Sequence, residues 1–156
     1  MGLIKAFFIG IFLVGSVAMA ADSCSSLIGS CDYYKCVESQ EHCGKNGYYL
    51  KFGDHYCRQY QADQPNYTEL GQIFLDHLRS CLQEQLEADR ETQGALPQCS
   101  NVKTFAIQTH KYCYQKYNFC ELSEGDQWRI KLTAKKEILD PQMFLFALYL
   151  EKMCLL

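Results

Sequence analysis

Ten cysteines, at positions 24, 31, 36, 43, 57, 81, 99, 113, 120 and 154, are spread along a chain of 156 residues. No other feature restricts the fold as strongly, because every one of them must be bridged, bound to a metal or left as a thiol. The stretch CSNVKTFAIQTHKYCYQKYNFC, from Cys99 to Cys120, shows that the pairing is not local. Val102, Phe105, Ala106, Thr109, Tyr112, Cys113, Lys116 and Tyr117 recur at the i, i+3, i+4, i+7 spacing of a helix. At a rise of about 1.5 Å per residue, such a helix places Cys113 roughly 10 Å from Cys120 and roughly 21 Å from Cys99. Disulfide Cα atoms lie within about 7 Å of each other. On that helix the three cannot join one another, so each reaches a different segment, binds a metal or stays free. The compartment decides among these fates.

The first twenty residues, MGLIKAFFIGIFLVGSVAMA, carry one early cation (Lys5), an apolar run from Ala6 to Val14 and the small residues Ala18 and Ala20. That is the layout of a secretory signal peptide over residues 1–21, cleaved after Ala20 or Ala21. A membrane anchor needs about 18 to 20 apolar residues, and Gly15 and Ser16 interrupt this run. N-myristoylation needs Ser or Thr where Ala6 stands. The chain is therefore expected to be secreted, with no membrane attachment after cleavage. Residues 22–156 form a single domain, since no linker, repeat or low-complexity tract divides them. About 135 residues suffice for a modest core. All ten cysteines lie in this part, and an even count in an exported chain implies a framework of about five disulfides. The formal charge of −3 becomes about −4 once Lys5 is removed, and with no basic cluster neither nucleic acid nor an anionic membrane is an expected partner.

The patterning predicts a small, all-α or mostly helical domain. Ser23 to Glu41 accommodates one or two short helices, with Ser30 or Asp32 as a cap. GKNGYYLKFGDHYC reads as a glycine-punctuated loop that feeds a short element ending near Tyr60. Between Pro65 and Asp89, Leu70, Ile73, Phe74, His77, Leu78, Cys81, Leu82, Gln85 and Leu86 form one stripe, with Thr68 as cap and GALPQ as the stop. Ser123 and Asp126 resemble a capping box, but WRIKLTA alternates with period 2, which leaves residues 123–139 open between helix and strand. Asp140-Pro141 opens a last helix through MFLFALYLEKMCLL.

Little in the chain suggests catalysis. His77 with Cys81 and His110 with Cys113 have workable zinc spacings, but there is no CxxC, and single histidines in an oxidising compartment more often serve a surface. The absence of a vicinal dithiol argues against a redox role. THKYCY and the loop GKNGYYLKFGD faintly resemble secreted phospholipase A2, a family that places Asp directly after its catalytic His and a cysteine pair before it. Here Lys111 follows His110 and no cysteine pair precedes it, so neither the water-activating pair nor the calcium site is assembled as in that family. No nucleophile elbow, HExxH, phosphate loop or paired-carboxylate pattern occurs. The expectation is a protein that is not an enzyme and holds no cofactor or metal. The eleven tyrosines and Trp128 suit either contacts or core packing.

The ladder as a whole resembles stanniocalcin, a family of secreted glycoprotein hormones. The resemblance rests on 23 residues between Cys57 and Cys81, 13 between Cys99 and Cys113, then CYQKYNFC, the start SCDYYKC and the long gap from Cys120 to Cys154. It covers essentially the whole of residues 22–156. The Cys43–Cys57 loop is longer than the family's, Cys24–Cys31 is shorter, and ESQEHC replaces the family's sequon before its fourth cysteine. One sequon, Asn66-Tyr67-Thr68, makes Asn66 the candidate glycosylation site. Ten cysteines permit about nine times the 105 pairings open to eight. The resemblance implies Cys24 with Cys36, Cys31 with Cys57, Cys43 with Cys99, Cys81 with Cys113, and Cys120 with Cys154. It also implies a hormone-like signal or regulator that binds an extracellular protein, a receptor or a protease. The family is linked to calcium and phosphate balance and to inhibition of pappalysin-type metalloproteases. The alternatives are a small secreted hydrolase of phospholipase A2 type and a microbial secreted effector that uses only the scaffold.

The family's dimer-forming cysteine lies well beyond its tenth, whereas this sequence stops two residues after Cys154, so an interchain disulfide is not expected. Met143 to Leu150 is an uninterrupted apolar run of eight, too short to span a bilayer and wider than the stripe of a surface helix. Either the last helix is buried on all sides, or its uncovered face, with Phe144, Leu148 and Leu155, packs against a second copy as a noncovalent homodimer.

Overall fold

A computed structural model describes residues 24–93 and 99–155; the expected signal peptide lies outside them. The described residues form six α-helices: α1 (Asp32–Glu41), α2 (His55–Asp63), α3 (Glu69–Gln93), α4 (Val102–Lys116), α5 (Glu124–Thr133) and α6 (Pro141–Met153). Short 3₁₀ turns connect several of them, and no strand occurs among the described residues. Five disulfides join Cys24 to Cys36, Cys31 to Cys57, Cys43 to Cys99, Cys81 to Cys113 and Cys120 to Cys154, with Cα–Cα distances from 5.2 to 6.0 Å. These are the five pairs that the family resemblance implies.

The frame is the antiparallel hairpin of α3 and α4, and two apolar cores are built along it. Near the start of α3, Phe74, Leu78 and Leu82 meet Tyr114, Phe119, Ile130 and Phe146. Toward the end of α3, Leu86 joins Val102 and Ala106 from the start of α4, and Tyr33, Val37 and Tyr49 from the N-terminal part of the chain. The fully buried Cys81–Cys113 bridge pins the hairpin. Hydrophobic burial is the main favourable term at both ends.

The face that α3 buries is rotated from the expected stripe. Leu70, Ile73 and His77 are exposed and Gln85 is half-buried, while Gly71, Leu75, Gln83 and Glu87 are buried. The cause is polar. The carboxyl of Asp126 packs on Gly71, and Gln83 fastens the segment around Gly29 by accepting its N–H at 2.6 Å and donating to the Ser30 carbonyl at 2.8 Å. Glu87 accepts the Tyr33 hydroxyl at 2.9 Å and pairs with Arg90, which also reaches Glu41 at the end of α1. On α4 the expected stripe is correct at Val102, Ala106, Thr109 and Cys113, whereas Tyr112 and Lys116 are exposed. The helix ends at Lys116 because Asn118 turns left-handed at φ 55°, so Cys99 and Cys120 both lie off it.

Two segments differ from their sequence patterns in other ways. The expected glycine loop is helical from Tyr49 to Asp54, a wide π-type turn that runs directly into α2. Gly53 is needed there, since a Cβ would overlap the Tyr34 ring. Residues 124–133 are helix rather than strand: Ser123 caps α5 by accepting the Asp126 N–H at 3.1 Å, and Lys135–Leu139 adds a 3₁₀ turn. The period of 2 was misleading because α5 buries only Asp126 and Ile130 and leaves Trp128 and Leu132 exposed.

Candidate interaction surface

The last helix begins where expected. Asp140 caps it by accepting the amides of Gln142 and Met143, and Pro141 occupies the first turn. Lys103 at the start of α4 binds the second oxygen of Asp140 at 2.6 Å, and this bond, with the two amides, holds the Asp140 carboxyl below the usual carboxylate range despite some desolvation. The far end is fixed by Cys120–Cys154. α6 is thus anchored at both termini, and its orientation is set.

One face of α6 goes inward: Phe146 and Leu150 are buried, and Met143 and Met153 are partly covered. Their spacing of three and four residues is the helical repeat. The opposite face is open, with Phe144 48 %, Leu145 62 % and Leu148 49 % exposed. The helix is therefore not buried on all sides. Leu155 is exposed too, but it lies beyond the end of α6. Leu145, three residues before Leu148, belongs to the same face by spacing alone, and the sequence reading missed it. Lys131 on α5 binds Glu151 of α6 at 2.6 Å. Trp128 and Leu132, exposed on α5, flank Lys131 in sequence. Both helices thus carry exposed apolar side chains as well as one half of a charge pair.

The histidine weighed as a catalytic base sits elsewhere. His110 is on α4, its ring 5.8 Å from that of Phe146 at an interplanar angle of 75°. Nδ1 lies 2.6 Å from the Ala106 carbonyl. A carbonyl only accepts, so Nδ1 carries the proton and Nε2 is the acceptor in the neutral ring. Burial pushes the pKa of His110 below the ordinary histidine value, with the bond to Ala106 opposing it. The ring's orienting partner is thus backbone rather than a carboxylate. Both cysteines of the candidate zinc pairs, Cys81 and Cys113, are bonded to each other. Among the described residues no three of His, Cys, Asp and Glu are grouped to hold a metal ion. Asn66 is exposed in the turn before α3, its amide donating to Asp63 at 2.6 Å. The hydroxyl of Thr68, the third residue of the sequon, is engaged by Asp126.

No helix among the described residues is long and apolar enough to cross a membrane. Comparison with protein-family models, curated proteins and solved structures finds no match.

Proposed function

We propose that the chain is a secreted, stanniocalcin-like binding protein that acts as a signal or regulator by docking the outer face of α6 against an extracellular protein. The observation that carries this is the open apolar face Phe144–Leu145–Leu148 on a helix tied down at both ends. A fixed apolar face loses little conformational freedom when a partner covers it. The cysteine ladder and its five bridges support the stanniocalcin-like part of the proposal, and a bridged framework suits an oxidising compartment. Among partners that the resemblance implies, a pappalysin-type metalloprotease offers a direct assay.

The test uses the secreted, disulfide-intact protein and its Leu148→Glu variant. The wild type is expected to inhibit a pappalysin-type metalloprotease and the folded variant to lose about tenfold or more in affinity, as central apolar contacts do at interfaces. Equal inhibition by both, or none by either at tens of micromolar, overturns the proposal. Light scattering addresses the competing occupant, a second copy of the chain: a dimer that Leu148→Glu converts to monomer would assign the face to self-association.

A further inference from the structure

A cavity of about 130 Å³ lies between the two cores, behind α6 and separate from its outer face. Its walls come from the wide turn before α2, from α2 itself and from α3, α4 and α6. Aliphatic and aromatic groups predominate, including Leu78, Leu82, Ile107 and Phe146. An engineered cavity of about 150 Å³ with comparable lining admits benzene, so the space here is that of a single ring.

The polar groups in the wall define the chemistry. Tyr48 and Tyr114 are 9 % and 4 % exposed, and both line the space. A phenolic hydroxyl both donates and accepts, so each can hydrogen-bond an occupant with a polar head. Nε2 of His110, also in the wall, is an acceptor by the tautomer fixed at Ala106. The two cations of the wall are already paired. Lys103 pairs with Asp140 at 2.6 Å, Arg79 with Asp76 at 3.0 Å, and Glu137 accepts the Tyr56 hydroxyl at 2.6 Å. An anionic ligand finds no free cation here, whereas a neutral hydroxyl meets the tyrosine hydroxyls and the His110 acceptor.

We propose that this cavity binds a small, neutral, monocyclic molecule with one hydroxyl, of the phenol or cresol class. The ring fills the space between Leu78, Ile107 and Phe146, and the hydroxyl meets the tyrosine hydroxyls or His110. This site is independent of the partner proposed for the outer face of α6.

Titration of the intact, oxidised protein with p-cresol and with toluene, followed by NMR shifts of the wall residues, tests the site. Saturable one-site binding of p-cresol is expected, about tenfold tighter than toluene, the value of one net hydrogen bond. The double variant Tyr48→Phe and Tyr114→Phe is expected to keep toluene binding and lose most of the preference. Ile107→Phe, which fills the space, is expected to abolish both; should it fail to fold, Ala134→Leu serves the same purpose. The proposal is overturned by no saturable binding of either compound, which would leave the cavity to ordered water. It is equally overturned by toluene binding as tightly as p-cresol, or by binding unchanged in a folded space-filling variant.

Discussion

Thr68 and Asp126, 58 residues apart in sequence, hold the first turns of α3 and α5 together. The Asp126 carboxylate accepts both the backbone N–H of Thr68, at 3.1 Å, and its hydroxyl, while Thr68 Oγ1 accepts the Gly71 amide at 3.2 Å. Two helix N-termini thus share one carboxylate, which suits the positive ends of both dipoles. Burial acts to raise the Asp126 pKa, but the hydrogen bonds from Thr68 and Ser123 outweigh it and hold the carboxyl below its ordinary value. A depressed folded-state pKa contributes stability that is full above the unfolded value of about 4 and is lost as pH falls through the folded value. Urea midpoints are therefore expected to drop on acidification below about pH 4, and Asp126→Asn to shrink that acid-dependent loss. A variant whose midpoint falls as steeply as the wild type's would remove Asp126 from this role. Gly71→Ala is expected to disturb the same junction, since its Cβ would lie 2.8 Å from the Asp126 carboxyl carbon.

Gln83→Leu should destabilise the domain by about 1–3 kcal/mol, the cost of leaving partly buried backbone groups without their partner. The side chain is fully buried and serves both the Gly29 N–H and the Ser30 carbonyl, so leucine fills space without replacing either bond. Chemical denaturation decides it; a change below about 0.5 kcal/mol, ordinary for a surface site, would contradict the assigned role.

The two polar fasteners explain what was and was not legible in the sequence. Long apolar periodicity made α3, α4 and α6 visible, and the caps at Thr68, Ser123 and Asp140 mark observed helix starts. The exact face of α3 was not visible, because Gln83 and Gly71 owe their burial to partners more than fifty residues away. α5 was ambiguous because its contact with the core is so narrow. Gly53 read as loop punctuation when its smallness serves the Tyr34 ring inside a helical turn. The expected helix reached too far to include Cys99 and Cys120, and the particular disulfide pairs came only through the resemblance. Of the α6 surface, Phe144 and Leu148 were readable as outward candidates, whereas the cavity behind the helix was not. Its walls are drawn from segments scattered over the chain.

Among the disulfides, removal of Cys81–Cys113 is expected to be among the most damaging. Its closed loop spans 32 residues, for which the chain-entropy relation gives roughly 3.7 kcal/mol, and both cysteines are in the core. The 12-residue Cys24–Cys36 loop gives roughly 2.8 kcal/mol by the same relation. Cys81→Ala should impair secretion and leave a reactive thiol at Cys113, detectable by alkylation and peptide mapping. Native secretion with Cys113 unmodified would contradict this, as would a map of the wild type that joins Cys81 to any other cysteine.

The apolar run in α6 should divide into two classes by energetics, although its residues look alike in sequence. Phe146 is buried, and its ring packs 5.4 Å from Tyr114 and 5.8 Å from His110. Phe146→Ala is therefore expected to cost about 3–5 kcal/mol through lost transfer energy and enlarged empty space. Leu148 lies on the open face, where exchange for a charged residue touches no core contact. Leu148→Glu is expected to change monomer stability by about 0.5 kcal/mol or less. Glutamate at this position also follows Phe144 by one helical turn, so it interrupts the apolar face without altering the buried one. Denaturation of both variants, at concentrations where light scattering reports monomer, separates packing from association. A large loss in Leu148→Glu monomer would mean that this side chain is part of the core, and a small loss in Phe146→Ala would mean that α6 is not seated by its inner face.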